Sequence, residues 1–507
     1  MPTHVFEGDL TLADKKASDY VYLPFPVPPG ASRLTVRYDY SNRMPADENW
    51  GGNVLDIGLF GPGGIAPGQA DFRGWSGSFR SSFFVAPDQA TPGYFPGLPP
   101  GQWHVALGLY KLARNGCHYR VEVEVVLSPQ SSAPRPSSLV PHPSSLVPHP
   151  SSLVPRPPDL ELGTGNWELG RWYRGDLHCH TQHSDGENTL AELIASAKAR
   201  GLDFLAITDH NTTSYFLDLP GVADAGLLLI PGEELTTYYG HANVWGLRQW
   251  VDFRGRSSAD LARAAAEAHR QGALISINHP KQEGPEWELP TDFDFDAVEV
   301  WQSHWWVSNY QSLAWWDRLL RAGRRVSAVG GSDLHRLGTP ERPAPYELGT
   351  PCTWVLAPTL SEAAILDGIR AGHVFLSRDP DGPQITFSAR YAGGQAMKRH
   401  HALLPETAGM MALQMGDVLQ VSPGTRLTLQ ARVQGARGDL VRLVSAQGVL
   451  ALVEITADDF AHEFVVTPAA AGYYRLEVIQ PPEADLDKEP SVLMVDALTN
   501  PIYVRLA

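Results

Sequence analysis

Residues 172–210 read WYRGDLHCHTQHSDGENTLAELIASAKARGLDFLAITDH, and the order of textures in this stretch decides the fold of the chain's centre. A short run ends in His, Cys and Asp; Thr189 to Arg200 then has helical spacing, stops at Gly201, and gives way to the strand-like Ala206-Ile207-Thr208. Glycine just past the last periodic residue is a helix-stop signal. The alternation continues. Strand-like Leu227 to Ile230, Ala273 to Ile277, Ala297 to Val300 and Val326 to Val329 are interleaved with helix-like Ser258 to Gln271, Tyr310 to Ala322 and Ser361 to Ala371. Repeating strand and helix units over 169–384 predict a parallel, barrel-like α/β domain, a scaffold that places chemistry at the carboxyl ends of its strands.

Outward from this centre the texture changes. Arg33 to Tyr38 and Tyr119 to Val125 alternate apolar and polar residues between Gly and Pro clusters, the pattern of an antiparallel β-sandwich over 1–130. Arg426 to Val433 and Tyr473 to Val478 repeat that period, predicting a second, smaller sandwich over 385–507. Between the first sandwich and the centre, 131–168 is a linker. Its residues 136–156 are three copies of a seven-residue unit, PSSLVPH twice and PSSLVPR. Two prolines per unit exclude a coiled coil and leave an extended spacer.

The 507 residues, 43% hydrophobic and 19% charged, suffice for several folded units. A net charge of −16 disfavours general nucleic-acid binding. No 18-residue apolar run predicts a membrane span, and no secretory signal is visible at the start. Cys117, Cys179 and Cys352 are too few and too scattered for a disulfide framework, so a reducing, cytoplasmic setting is expected.

Strand after strand in the centre ends in metal-ligand residue types. His178 and His180, at i and i+2 on extended chain, share a face and can bind one cation, while Cys179 points the other way. His210 ends a buried run as a ligand, with Asp209 beside it orienting an imidazole or closing a hydrogen bond. Glu233 and Glu234 point to opposite faces, so one can bridge two cations. His241 is a ligand or a surface loop histidine, and Asp185 a ligand or a turn aspartate. His279, Asp333 and His335 stand at the remaining strand ends.

Together DLHCHTQHSDG, AITDHN, IPGEEL, NHP and GGSDLH resemble the PHP (polymerase and histidinol phosphatase) superfamily of metallohydrolases, and more narrowly its CehA/McbA-type branch. The resemblance implies a distorted (β/α)7 TIM-like barrel flanked by the two sandwiches. It also implies two or three divalent ions (Zn, Mn or Fe). His178, His180, Glu234 and Asp333 would hold one, Glu234 would bridge to a second with His241 and His279, and Asp185, His210 and His335 would hold a third. The implied activity is hydrolysis of a small phosphomonoester or phosphodiester by a metal-bridging hydroxide. A carbamate or carboxyl ester hydrolase of the same branch, and a non-catalytic binding protein on a metal scaffold, are the alternatives.

Around this mouth, Trp301, Trp305 and Trp306 form either a wall for an aromatic leaving group or loop packing. Trp315 and Trp316 follow a helical core pattern. His304 is the candidate proton donor to a leaving group, and Arg336, with Lys281 and Arg378, a candidate for binding phosphate oxygen. Oligomeric state leaves no trace in the sequence.

Overall fold

The computed structural model describes residues 3–44, 51–128, 170–223, 225–282, 285–392, 396–397, 410–481 and 493–506. The 131–168 linker, with its three repeats, lies outside them. The chain is multidomain and β-rich.

The N-terminal unit consists of two four-stranded antiparallel sheets. One orders Thr3–Leu10, Cys117–Leu127, Ala31–Tyr40 and Ser82–Val85; the other orders Tyr20–Val27, Gly101–Lys111, Val54–Phe60 and Phe72–Gly77. Period-2 alternation turns Leu34, Val36, Val121, Val123 and Val125 inward, where they meet Leu55, Ile57, Val105 and Leu107 of the facing sheet in one core. Each such buried aliphatic side chain contributes about 1.5–3 kcal/mol.

In the centre, helices Leu190–Ala199, Ser258–Arg270, Asn309–Arg321 and Glu362–Ala371 occupy the four helical stretches. Thr189 with Glu192 and Ser257 with Asp260 form capping boxes that fix the first two starts. Gly201 follows the first helix at φ +71°, a left-handed turn that glycine adopts without strain.

The pairing does not show a seven-unit TIM-like barrel. Nine strands run in the order Ser327–Gly331, Ala297–Gln302, Leu274–Ile277, Gly240–Trp245, Leu228–Thr237, Phe204–Ile207, Arg171–Asp176, Cys352–Ala357, Val374–Ser377. Among the described residues four α-helices accompany them, and no ladder joins the two ends of that order. Parallel pairing is confined to two groups of three strands. The reason is local. A tight turn at Tyr238-Tyr239 folds Leu228–Thr237 back on Gly240–Trp245, and Cys352–Ala357 runs antiparallel to both of its neighbours. A buried apolar run reads alike whether its neighbours run parallel or antiparallel, so periodicity could not separate the two.

The central sheet continues through Val374–Ser377 into Val495–Thr499 and on to Gly472–Ile479, Ile502–Leu506 and Val418–Val421. A four-stranded sheet of Met410–Gln414, Gln384–Ala392, Leu427–Gln434 and Asp459–Val466 lies across it. Ile385, Phe387 and Leu429 share a core with Leu476, Val478 and Val504, a sandwich-like arrangement.

The N-terminal unit is docked on the centre. Phe72 stacks on Trp250 with ring centroids 4.1 Å apart. Arg254 donates to Tyr22 Oη at 2.6 Å and to the Ile65 carbonyl at 3.0 Å. Phe60 and Trp75 belong to the same core cluster as Phe253 and Val251 of the centre.

Candidate metal centre

The chain just beyond Arg171–Asp176 carries His178 and His180, and the buried Asp176 carboxylate locks this segment to the one beyond Ser327–Gly331. It accepts N–H bonds from His178 at 3.1 Å, Ser332 at 2.9 Å and Gly349 at 2.8 Å. Cys179 turns away into a core with Leu193, Leu205 and Ile207. Asp209 closes hydrogen bonds rather than orienting an imidazole: it accepts from Thr181 N at 2.8 Å and from the Thr181 and Ser184 hydroxyls, clamping the loop that carries Asp185. In the hairpin, Thr236 pairs with His241 and Glu234 with Asn243, which brings the His241 ring over Glu234.

The donors converge. Glu234, 0% exposed, lies at the middle: Oε1 is 3.4 Å from His178 Nε2, 3.2 Å from His241 Nδ1 and 3.4 Å from His279 Nε2, and Oε2 is 2.8 Å from His210 Nδ1 and 3.7 Å from His180 Nε2. Asp333 Oδ1 is 3.2 Å from His178 Nε2 and 2.9 Å from His180 Nε2. Asp185 Oδ1 is 3.5 Å from His210 Nε2 and 3.3 Å from His335 Nε2. All nine predicted ligand positions therefore meet in one cluster. Its donor atoms fall into overlapping groups: His178, His180 and Glu234; His178, His279 and Glu299; His210, Glu234 and His241; His180, Asp185, His210 and His335.

Several of these contacts have the distance but not the alignment of hydrogen bonds. His178 Nε2, Glu234 Oε2, Asp185 Oδ1 and both nitrogens of His279 are buried without a hydrogen-bond partner. Orphaned buried polar atoms cost free energy and call for a partner. Donors aimed at common centres rather than at each other fit cations. Asp333 (φ +55°) and His279 (φ +26°) also hold left-handed backbone, strain of roughly 1–3 kcal/mol each that the surrounding structure must sustain.

The electrostatics agree. Burial opposes charge on Glu234 and Asp333, yet the surrounding imidazoles hold both well below the usual carboxylate range. Burial likewise opposes protonation of His178, but Asp333, Glu299 and Glu234 raise it well above its ordinary value. Against burial, Asp185 and Glu234 lift His210 to about 9, and Asp185 lifts His335 to about 10. His180 is pushed down to about 4 by burial and by His335 and His210. The site concentrates carboxylate charge and draws compensating positive charge to it. Imidazole with carboxylate suits Zn, Mn or Fe, and binding such an ion would release protons from the histidines.

Three supporting residues escaped the sequence reading. Glu299 Oε1 lies 2.9 Å from His178 Nδ1, Asn278 donates to Glu234 Oε1 at 2.9 Å, and Gln302 donates to Asp333 Oδ2 at 3.0 Å. A charge inside the apolar run Ala297-Val298-Glu299-Val300 was the available signal for the first.

Glu233 points away, its Oε2 accepting from Val251 N at 3.0 Å, and burial raises its carboxyl well above the usual range. The structure does not bring His304 or Arg336 into the cluster. His304 Nε2 contacts the Pro345 carbonyl at 2.9 Å, and Arg336 donates to the carbonyls of Arg342 and Pro343. Lys281 is buried, its Nζ donating to Val307 O and Asn309 Oδ1, while Arg378 pairs with Asp496. Trp301, Trp305 and Trp316 are buried and bonded to backbone carbonyls, which is packing. Trp306 is 63% exposed and stacks on His304.

Fold and site thus define a class: a β-rich, multidomain chain with a buried carboxylate and imidazole cluster of divalent-metal type. Residues 176–275 match the PHP domain, which supports the PHP superfamily for this part of the chain. A stretch of 63 residues is 40% identical to a 5'-3' exoribonuclease of Haemophilus influenzae, covering 12% of this chain and 23% of that protein's length. A two-domain protein from Bacteroides vulgatus containing a predicted PHP-like metal-dependent phosphoesterase is 17% identical with a TM-score of 0.36, over 64% of this chain and 95% of that one. An amidohydrolase from Chromobacterium violaceum, solved with bound sulfate and no metal, is 17% identical with a TM-score of 0.24, over 32% of this chain and 88% of that one.

Proposed function

We propose that the chain is a metal-dependent phosphoesterase acting on a small phosphomonoester or phosphodiester. The observation that carries this reading is the convergence of His178, His180, Glu234, His279 and Asp333 around orphaned buried atoms, within a segment that matches the PHP domain. Two or three divalent ions held there would supply Lewis-acid polarisation of a phosphoryl oxygen and a hydroxide nucleophile near neutral pH.

The chain's own part is to hold donors in place. Glu234 presents Oε1 to His178, His241 and His279 and Oε2 to His180 and His210, so it would be the carboxylate shared between two cations. Asn278 and Gln302 fix the carboxylates of Glu234 and Asp333 by donating to one oxygen of each. Asp185 and His335 form the open rim, with side chains 37% and 35% exposed, where a substrate would enter. No arginine or lysine donates to the donor oxygens among the described contacts, so charge on phosphorus would be met by the cations.

The test is purification with metal analysis, then hydrolysis of aryl phosphomonoesters and phosphodiesters with added Mn. Chelation should abolish turnover and Mn should restore it. Aryl carbamates or carboxylic esters cleaved at least ~100-fold faster in kcat/KM, about 2.7 kcal/mol of transition-state stabilisation, would overturn the phosphorus reading in favour of carbon esters.

A further inference from the structure

A cavity of about 670 Å³ opens on the rim of the donor cluster, where Asp185, His210 and His241 line its inner side. Its outer side is not built from the tryptophan loop after Val300. It is built from the N-terminal unit, which supplies Asp56, Trp75, Phe79 and Tyr110. A volume in the range ~300–1,000 Å³ takes an organic ligand, far more than a phosphoryl group needs.

The two sides differ in chemistry. The inner side is the carboxylate and imidazole rim. On the outer side Phe79 is 53% exposed, a large apolar ring left facing solvent, and Tyr110 lies against Tyr238 with ring centroids 5.2 Å apart. Tyr238 Oη donates to Asp56 Oδ2 at 2.8 Å, which ties this ring to the N-terminal unit. Tyr238 reaches this position because residue 108 is glycine; a Cβ there would collide with its hydroxyl. Among the lining residues Arg43 is the one arginine or lysine, and its guanidinium donates to the Ser78 carbonyl at 3.0 Å; Arg80 lies over the Phe79 ring at 5.1 Å, Lys111 over Tyr110 at 5.2 Å and Lys15 over Tyr238 at 4.8 Å.

The wall is held rigidly against the rim. Arg80 donates to the Ser184 carbonyl at 3.1 Å and to the Gln182 carbonyl, so the N-terminal unit grips the loop that carries Asp185. Gly93 N donates to Ser214 Oγ at 3.0 Å, and the Gly93 carbonyl accepts from Thr212 at 3.1 Å.

We infer that the N-terminal β unit is the specificity wall of the catalytic cavity, selecting esters whose non-phosphoryl half is aromatic. Its reacting end rests on the phosphoesterase reading; its binding end does not. The full-length, Mn-loaded protein is assayed by phosphate release from phenyl phosphate and methyl phosphate. Phe79→Ala should lower the phenyl-over-methyl preference in kcat/KM roughly three- to tenfold, mainly through KM on the phenyl ester, the scale of one aromatic contact. Phe79→Tyr, which keeps the ring, should restore it. A preference unchanged within twofold in F79A, or equal losses on both esters, would overturn the inference. If the wild type hydrolyses neither ester, the phosphomonoester reading fails and saturation-transfer NMR with phenol decides the cavity. Ring saturation that drops at least threefold in F79A supports the wall, and equal or absent saturation overturns it.

Discussion

Glu299→Gln isolates how the sheet tunes the metal-type cluster. Glu299 Oε1 lies 2.9 Å from His178 Nδ1, both side chains are essentially unexposed at 2% and 0%, and His178 Nε2 faces Glu234 and Asp333. An imidazole bonded through Nδ1 to a carboxylate has its other nitrogen aimed and made more basic. Glutamine keeps the shape and volume but removes the charge. A buried hydrogen bond to a charged group contributes about 1.5–3 kcal/mol, and such supporting carboxylates typically change metal affinity 10- to 100-fold, or about 1.4–2.7 kcal/mol. Titration of the chelated protein against a chromophoric competitor should therefore show Mn or Zn affinity weakened about 10- to 100-fold at unchanged stoichiometry. Activity should recover in part as metal is raised. Affinity within twofold of wild type would refute an orienting role, and loss of one full equivalent would make Glu299 a ligand in its own right.

His180→Ala or Asp333→Ala should lower bound metal and abolish hydrolysis while circular dichroism retains the β signal of the flanking units; full turnover by metal-free protein would sink the metal reading. Deleting one PSSLVPH unit from 136–156 should leave melting temperature and KM unchanged, because the N-terminal unit is docked through Phe72, Tyr22 and Arg254 rather than by tether length; a fall of several degrees would show that the tract packs. His269 Nε2 lies 2.8 Å from Asp296, whose hydrogen bond raises the imidazole above its ordinary value. The pair's contribution is thus fully present below about pH 6.5, the unfolded value, and is lost as pH rises through the raised folded value. With EDTA present, His269→Gln should therefore cost up to about 1 kcal/mol at pH 5.5 and little at pH 9; equal losses at both would refute the linkage.

The nine ligand-type residues were legible because chemistry at strand ends leaves a regular mark: His-x-His after one run, Asp-His after the next, Glu-Glu, His and Asp after the others. The helices were legible for the same local reason, since caps and terminal glycines act within a few residues. What the sequence did not carry was pairing direction. The hairpin at Tyr238-Tyr239 and the antiparallel strand Cys352–Ala357 make the sheet mixed, and its pairing does not show the expected barrel. Nothing in an apolar run such as Cys352-Thr353-Trp354-Val355 records which way its neighbour runs. The tryptophans after Val300 misdirect for a related reason: pockets and cores use the same aromatic residues. Only burial assigns Trp301 and Trp305 to packing, and only the tertiary fold brings Phe79, a hundred residues before the metal motifs, to the rim.

The donors differ in what holds them, and this difference links the flanking unit to the chemistry. His178, Glu234 and Asp333 are fixed by the central sheet itself, through Asp176, Asn278, Glu299 and Gln302, all buried or nearly so. Asp185 has no such anchor. Its loop is clamped from below by Asp209, through Thr181 and Ser184, and from outside by Arg80 of the N-terminal unit. The rim group of Asp185, His210 and His335 is therefore the part of the cluster whose geometry depends on two domains at once. The N-terminal unit thus both lines the cavity and, through Arg80, steadies the loop that carries a rim carboxylate, whereas the inner donors are held within the central sheet alone.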